Sequence, residues 1–293
     1  MDKKVIEKYI APLSPLSTDA IPAGQLKRPV NCVLFDVYGT LFISDSGDIG
    51  VAKSKAQKHA DIQKLIDRYS LNTTAEDIFR KLHRHIENTH DRLLQNGIDV
   101  PEVEIDTVWT EIFKTRDTQT MQQFAVEFEW IVNPVYPMPH LEELLRTLKH
   151  RHMLMGIISN AQFYTPYLFK WYLGRGLKHL GFHPNLVFLS YRLKRAKPSR
   201  VLYELAVEKL KLMGISASSV LYVGNDMLND IYPATQVNFQ TALFAGDKRS
   251  LRRRENDPRC LNLSPDLVIT DLMQLLDHLK ELSSLRSSAE GGE

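Results

Sequence analysis

Residues 30–42 read VNCVLFDVYGTLF, an apolar run that ends on Asp36 and turns at once through Gly39 and Thr40. Its branched and aromatic content suits a strand covered on both faces, expected over Val30 to Asp36. Similar runs recur beyond Pro139: LMGIISN (154–160), LVFLS (186–190), SVLYVG (219–224), TALFAG (241–246) and LVIT (267–270). Helical patterns separate them at 140–149, 199–213, 229–237 and 271–282. Strands alternating with helices of about 10–15 residues predict an α/β fold, a three-layer parallel sheet. Right-handed crossovers then bring the strand C-termini to one edge, where chemistry is normally found.

Between the first run and the rest, no stretch from Ser44 to Val132 reads as a strand. Residues 52–95 and 104–132 carry apolar groups at three and four spacing, with Thr73 or Thr74 placed to cap a helix whose first turn holds Glu76 and Asp77. Residues 44–132 are therefore expected to be an all-helical module inserted into a core of 30–43 and 133–282. Residues 1–29, with a short helix over 1–10 and prolines at 12, 15, 22 and 29, read as an extension. Residues 283–293 read as a polar, disordered tail.

The chain has 293 residues, 43% hydrophobic and 25% charged, with 37 Lys and Arg against 35 Asp and Glu. This balance gives no reason to expect nucleic acid or a membrane surface as partner. Its two cysteines, Cys32 and Cys260, cannot form a disulfide framework and suit a reducing, cytoplasmic setting.

Four polar signals follow four of the runs. Asp36, held at a strand end, is placed either to attack an electrophile or merely to cap the next element. Ser159 and Asn160 offer a hydroxyl and an amide, either for an oxyanion or simply as a helix cap. Lys197 precedes Pro198, which is expected at the first position of a helix. Asn225 and Asp226 end the fourth run, and Asp230 lies at i+4 from Asp226, where two carboxylates need a cation between them or ordinary helix-start acidity explains both. Hard oxygens from Asp36 and Asp226 suit Mg²⁺ plus a phosphate, with Lys197 and Ser159 neutralising the transferred group.

In this order and around this insertion, FDVYGTLF, ISN, Lys197-Pro198 and GNDMLND resemble the four motifs of the haloacid dehalogenase-like hydrolases. That resemblance spans residues 30–278 and implies a Rossmann-like core with a C1-type helical cap. It implies Asp36 as nucleophile, Ser159 and Lys197 as catalytic partners, and Thr40 and Asn160 at the substrate. It also implies Mg²⁺ held by Asp36, the Tyr38 carbonyl and Asp226, with Asn225 and Asp230 in support. One departure matters: Tyr38 stands where the family's phosphatases carry an acid–base Asp. The leading expectation is a Mg²⁺-dependent phosphatase acting on a small, phosphorylated anion through an aspartyl intermediate. The alternatives are a metal-free 2-haloacid dehalogenase, which shares a Tyr at that position, and a catalytically weak phosphate-binding protein. For the dehalogenase, Arg68 is the arginine suggested by spacing. The basic stretch 247–259 reads as a solvated loop, with a place on the site rim as the sharper alternative.

Overall fold

The structure is a computed structural model and describes residues 1–45 and 56–279. Its strands are β1 (Ala23–Gly24), β2 (Cys32–Phe35), β3 (Phe42–Ser44), β4 (Val135–Pro137), β5 (Leu154–Ser159), β6 (Phe182–Leu189), β7 (Val220–Gly224), β8 (Gln240–Phe244) and β9 (Leu267–Ile269). Between β3 and β4 come helices α1 (Ala56–Arg68), α2 (Ala75–Gln95), α3 (Ile105–Ile112) and α4 (Thr118–Val132). Further helices are α5 (Leu141–His150), α6 (Thr165–Leu173), α7 (Leu177–Leu180), α8 (Ser190–Leu193), α9 (Val201–Leu212) and α10 (Tyr232–Gln236), and residues 274–279 are helical within the stretch expected over 271–282.

Seven strands form one sheet in the order β1-β9-β8-β7-β2-β5-β6, parallel except for the antiparallel edge strand β1. The decisive run lies at its centre: β2 pairs in parallel with β5 on one side and β7 on the other. All four of its side chains are buried, and their alternation serves both faces. Val33 and Phe35 join the core that includes α5 and α6, while Cys32 and Leu34 pack with Leu202, Tyr203, Ala206 and Leu210 of α9. This is the three-layer α/β arrangement. Both cysteines are unpaired and buried, and burial pushes the Cys32 thiol up to about 12. Among the described residues no helix is long and apolar enough to cross a membrane.

The helices α1 to α4 pack on an aromatic centre, with Trp109 5.1 Å from Phe124 and 4.9 Å from Phe128 between ring centroids. Thr74 caps α2 by accepting the Asp77 N–H. The pattern over 104–132 divides into two helices because Lys114 takes a positive φ and Asp117 starts α4 by accepting from Thr120. A short antiparallel pair, β3 with β4, joins this helical layer to the sheet.

Several expected boundaries move. The first ten residues form two short 3-10 turns rather than one helix. Their Ile6 is wholly buried, and Lys8 and Tyr9 both reach Glu127 of α4. β6 begins four residues earlier than its apolar run because His183 to Asn185 face outward. The helix expected over 229–237 is instead a wide π turn, Met227–Ile231, followed by α10 with Pro233 in its first turn. Residues 46–55 and 280–293, including the start of the insert and the polar tail, lie outside the described residues.

Candidate active site

Because β7, β2, β5 and β6 are consecutive neighbours, the residues that follow them meet at one edge of the sheet. The Asp36 N–H continues the β2–β7 ladder by donating to the Val223 carbonyl at 2.9 Å. The chain then reverses at Gly39, with φ of +82°, where a Cβ would come within 2.5 Å of Ser250 and 2.8 Å of the Asn225 amide. Glycine suits this position on both counts.

Lys197 links the motifs. Its Nζ donates to Asp36 Oδ1 at 2.7 Å and to Asp230 Oδ1 at 2.5 Å, with all three side chains buried. Burial lowers the lysine's proton affinity, but the charges of Asp230 and Asp36 outweigh it and hold Lys197 above its ordinary value. Burial pushes Asp230 up to about 7, with Lys197 opposing the shift. Asp230 is further held by the Asp226 N–H at 2.9 Å and the Tyr222 hydroxyl at 3.0 Å.

The other sequence candidates arrange this centre from around it. The Asn160 side chain accepts the Lys197 N–H at 2.6 Å and donates to its carbonyl at 3.4 Å, so the amide fixes the lysine's backbone. Lys197 and Pro198 are joined by a cis peptide, and α9 begins three residues beyond that proline, not at it. Ser159 is wholly buried, and its hydroxyl donates to the Asn160 carbonyl at 3.4 Å. Thr40 was expected at the substrate. It is wholly buried instead, with its hydroxyl donating to Asn225 Oδ1 at 3.1 Å. The Asn225 amide in turn donates to the Ser250 carbonyl at 2.6 Å. The Tyr38 hydroxyl pairs with Thr165 Oγ1 at 2.9 Å, and burial holds the phenol far above neutral pH.

A cavity of about 870 Å³ adjoins this edge. Tyr38, Asn160, Asn225 and Asp226 line it on the sheet side, and α2, α3 and α4 line it on the other. Asp36 and Lys197, each 5% exposed, sit beside these lining residues. Arg252 and Arg254 also line the cavity, so the sharper reading of the 247–259 stretch holds for these two. Arg253 and Arg259 are spent on the nearby acids Asp19 and Asp257. Arg68 belongs elsewhere: its guanidinium binds Glu127 and the Tyr9 hydroxyl, because its place at the end of α1 faces the N-terminal segment.

Asp226 decides whether Mg²⁺ fits. Its Oδ1 accepts the Leu228 and Asn229 N–H groups at 2.9 and 3.2 Å, and its Oδ2 accepts the Asn229 amide at 3.0 Å. Arg254 then clamps both oxygens, with Nε at 3.0 and 3.2 Å and Nη2 at 2.6 Å. A carboxylate offers about four lone-pair sites, and here they are taken. With Asn225 neutral and bonded at both ends, the expected set of Asp36, the Tyr38 carbonyl and Asp226 does not fit a divalent cation in this arrangement. The guanidinium of Arg254 supplies the positive charge instead.

Arg254 as an Asp226 partner is not legible in the sequence. The visible signal was the Arg252–Arg254 run, but its register depends on a bridge between Asp226 and Arg252 that no local pattern announces. Nor is Glu129, which lines the cavity from α4 and bonds Asn133 and Tyr164, with burial raising its carboxyl above the usual range.

Gly224 offers a local check on the centre. A Cβ there would fall 2.3–2.5 Å from Asp230 side-chain atoms. Gly224→Ala is therefore expected to push Asp230 off Lys197 and to cost about 1–3 kcal/mol, the usual scale for overpacking. Urea denaturation would read the loss, and a variant as stable as the parent would show that Asp230 has room to move.

A family model described as haloacid dehalogenase-like hydrolase matches residues 30–238. No curated protein matches the chain by sequence. Among solved structures, a defluorinating L-2-haloacid dehalogenase is similar with TM-score 0.53 and 17% identity, covering 89% of this chain and 100% of its own. A HAD phosphatase from Thermococcus onnurineus gives TM-score 0.52 and 15% identity over 85% and 98%. Another L-2-haloacid dehalogenase gives 0.50 and 19% over 86% and 99%. At these identities the likeness is one of fold.

Proposed function

The chain belongs to the haloacid dehalogenase-like hydrolase family, and from that membership we propose that it is a hydrolase of the dehalogenase type, acting without a divalent cation on an anionic substrate. The observation that carries this reading is the closed Asp226–Arg254 clamp, which fills the carboxylate a metal would need. Tyr38 supports it, since a phenol held far above neutral pH and bonded to Thr165 is a poor acid–base for a leaving oxygen. The leaving group is then one that departs unprotonated, such as halide.

In this reading the Asp36 carboxylate attacks the carbon bearing the halogen, the carbon–halogen bond breaks with its electron pair, and an Asp36 ester forms. Lys197 orients the carboxylate before attack, and Arg252 brings positive charge to the cavity for the substrate's anion. Water then opens the ester, giving an alcohol, the regenerated carboxylate and one proton.

The second reading is the Mg²⁺-dependent phosphatase. It is favoured by one observation, that Asp226 and Tyr38 border the same cavity, and it requires Arg254 to leave Asp226. The test is a panel of 2-haloacids and phosphoesters, assayed with Mg²⁺ and with chelator. Chelator-resistant halide release is the expected result. Phosphate release that disappears on chelation, together with a stoichiometric Mg²⁺ isotherm by calorimetry, would overturn it.

A further inference from the structure

The cavity is far larger than a two- or three-carbon acid requires. At about 870 Å³ it falls within the range of about 300–1,000 Å³ typical of sites that enclose drug-sized ligands. Its wall on the side of the helical insert carries three aromatic side chains, Phe79, Trp109 and Phe128, beside polar ones that include Glu76, Arg80, His83, Glu87 and Glu129. Phe128 lies between the other two, 5.4 Å from Phe79 and 4.9 Å from Trp109 by ring centroid.

Two lining side chains, Trp109 and His90, each hold a ring nitrogen without a partner. The Trp109 indole N–H is buried without an acceptor on a side chain that is 0% exposed, and His90 Nε2 is likewise buried and unbonded. Leaving a buried donor unsatisfied costs about 1–3 kcal/mol, and Trp109 borders the cavity, so an acceptor brought to its N–H would recover that cost. Trp130 and Trp171 have unbonded indole nitrogens too, but neither borders this cavity.

We infer that the substrate carries, beyond its reacting anionic head, an aromatic body that packs among Phe79, Trp109 and Phe128 and presents a hydrogen-bond acceptor to the Trp109 N–H. This rests on the proposed reaction only for the identity of the head. The body is recognised by the insert, the head by the sheet edge. A ring packs on these three side chains by hydrophobic burial and edge or offset contacts, and a carbonyl on its far side satisfies the indole.

The inference is tested by calorimetry on full-length Asp36→Asn, so that no head is turned over. One series is lactate, 3-phenyllactate and 3-(4-acetylphenyl)lactate. The other is methyl phosphate, phenyl phosphate and 4-acetylphenyl phosphate. In at least one series the phenyl member is expected to bind about 10-fold tighter than the methyl member or better, and the acetyl group to add about 3-fold or more. Trp109→Phe should remove the acetyl gain while leaving the phenyl gain. Equal binding of the small and aromatic members, or no binding by any, overturns the inference whatever the head. An aromatic gain confined to the phosphate series upholds it while removing the dehalogenase reading. Chelator-resistant halide release from 2-chloropropionate with no aromatic gain does the reverse. If Trp109→Phe does not fold, the ratios in Asp36→Asn alone still decide.

Discussion

Asp36→Asn is expected to lose turnover by about 10⁴-fold or more, the scale seen when a nucleophile that acts as part of a unit is removed, while the fold survives. The amide has nearly the carboxylate's shape but cannot form the ester that the reaction needs. Stability should change little, because Lys197 keeps Asp230 as its partner at 2.5 Å. The substitution removes one of two carboxylates that share a single buried ammonium. Two measurements separate this outcome from a merely damaged protein. The melting temperature of the variant should stay within a few degrees of the parent, and turnover by the parent in ¹⁸O-water should place the label in the Asp36 carboxylate. A variant retaining a tenth of parental activity would remove Asp36 from the chemistry. A parent that turns over nothing in the substrate panel would favour the third expectation, a binding protein on this fold.

The sheet could be read from sequence because its central strands are buried on both faces and so appear as continuous apolar runs. Cys32 to Phe35, Met155 to Ile158 and Val220 to Val223 are all of this kind. Elements with one foot in solvent were harder. The outward turn of His183 to Asn185 shortened β6 in the reading, and Ala23–Gly24, two exposed residues, gave no sign of the edge strand they form. The catalytic candidates were visible because parallel topology turns strand-end positions into spatial neighbours, and Asp36, Lys197 and Asp230 do meet. What each flanking side chain touches was not visible. Asn160 borders the cavity, as a substrate contact must, while its amide also clasps both backbone groups of Lys197, and the Thr40 hydroxyl is turned onto Asn225. The pair at Asp226 and Asp230 reads in sequence either as needing a cation or as ordinary helix-start acidity. The structure gives each its own, Arg254 and Lys197, from segments 28 and 33 residues away.

Removing Lys197 should be the most damaging single change to stability. Lys197→Ala leaves Asp36 and Asp230 buried with no ammonium between them, and breaking a buried pair from one side typically costs about 3–5 kcal/mol. The loss should depend on pH with a definite sign. In the parent, Asp230 is pushed up to about 7, above the value of about 3.9 expected in the unfolded chain. The unfolded state therefore gives up its proton first as pH rises, so Asp230 lowers stability progressively between about pH 4 and 7. Without Lys197, which is the influence drawing Asp230 downward, its proton affinity in the folded state rises further. The destabilising range then extends above pH 7 as well. Urea denaturation of Lys197→Ala at pH 5 and pH 8, each against the parent, should show the larger deficit at pH 8. Lys197→Arg, which keeps a positive charge, should recover part of the stability at pH 8. A deficit equal at both pH values would mean that lost packing, and not the unpaired carboxylates, carries the cost.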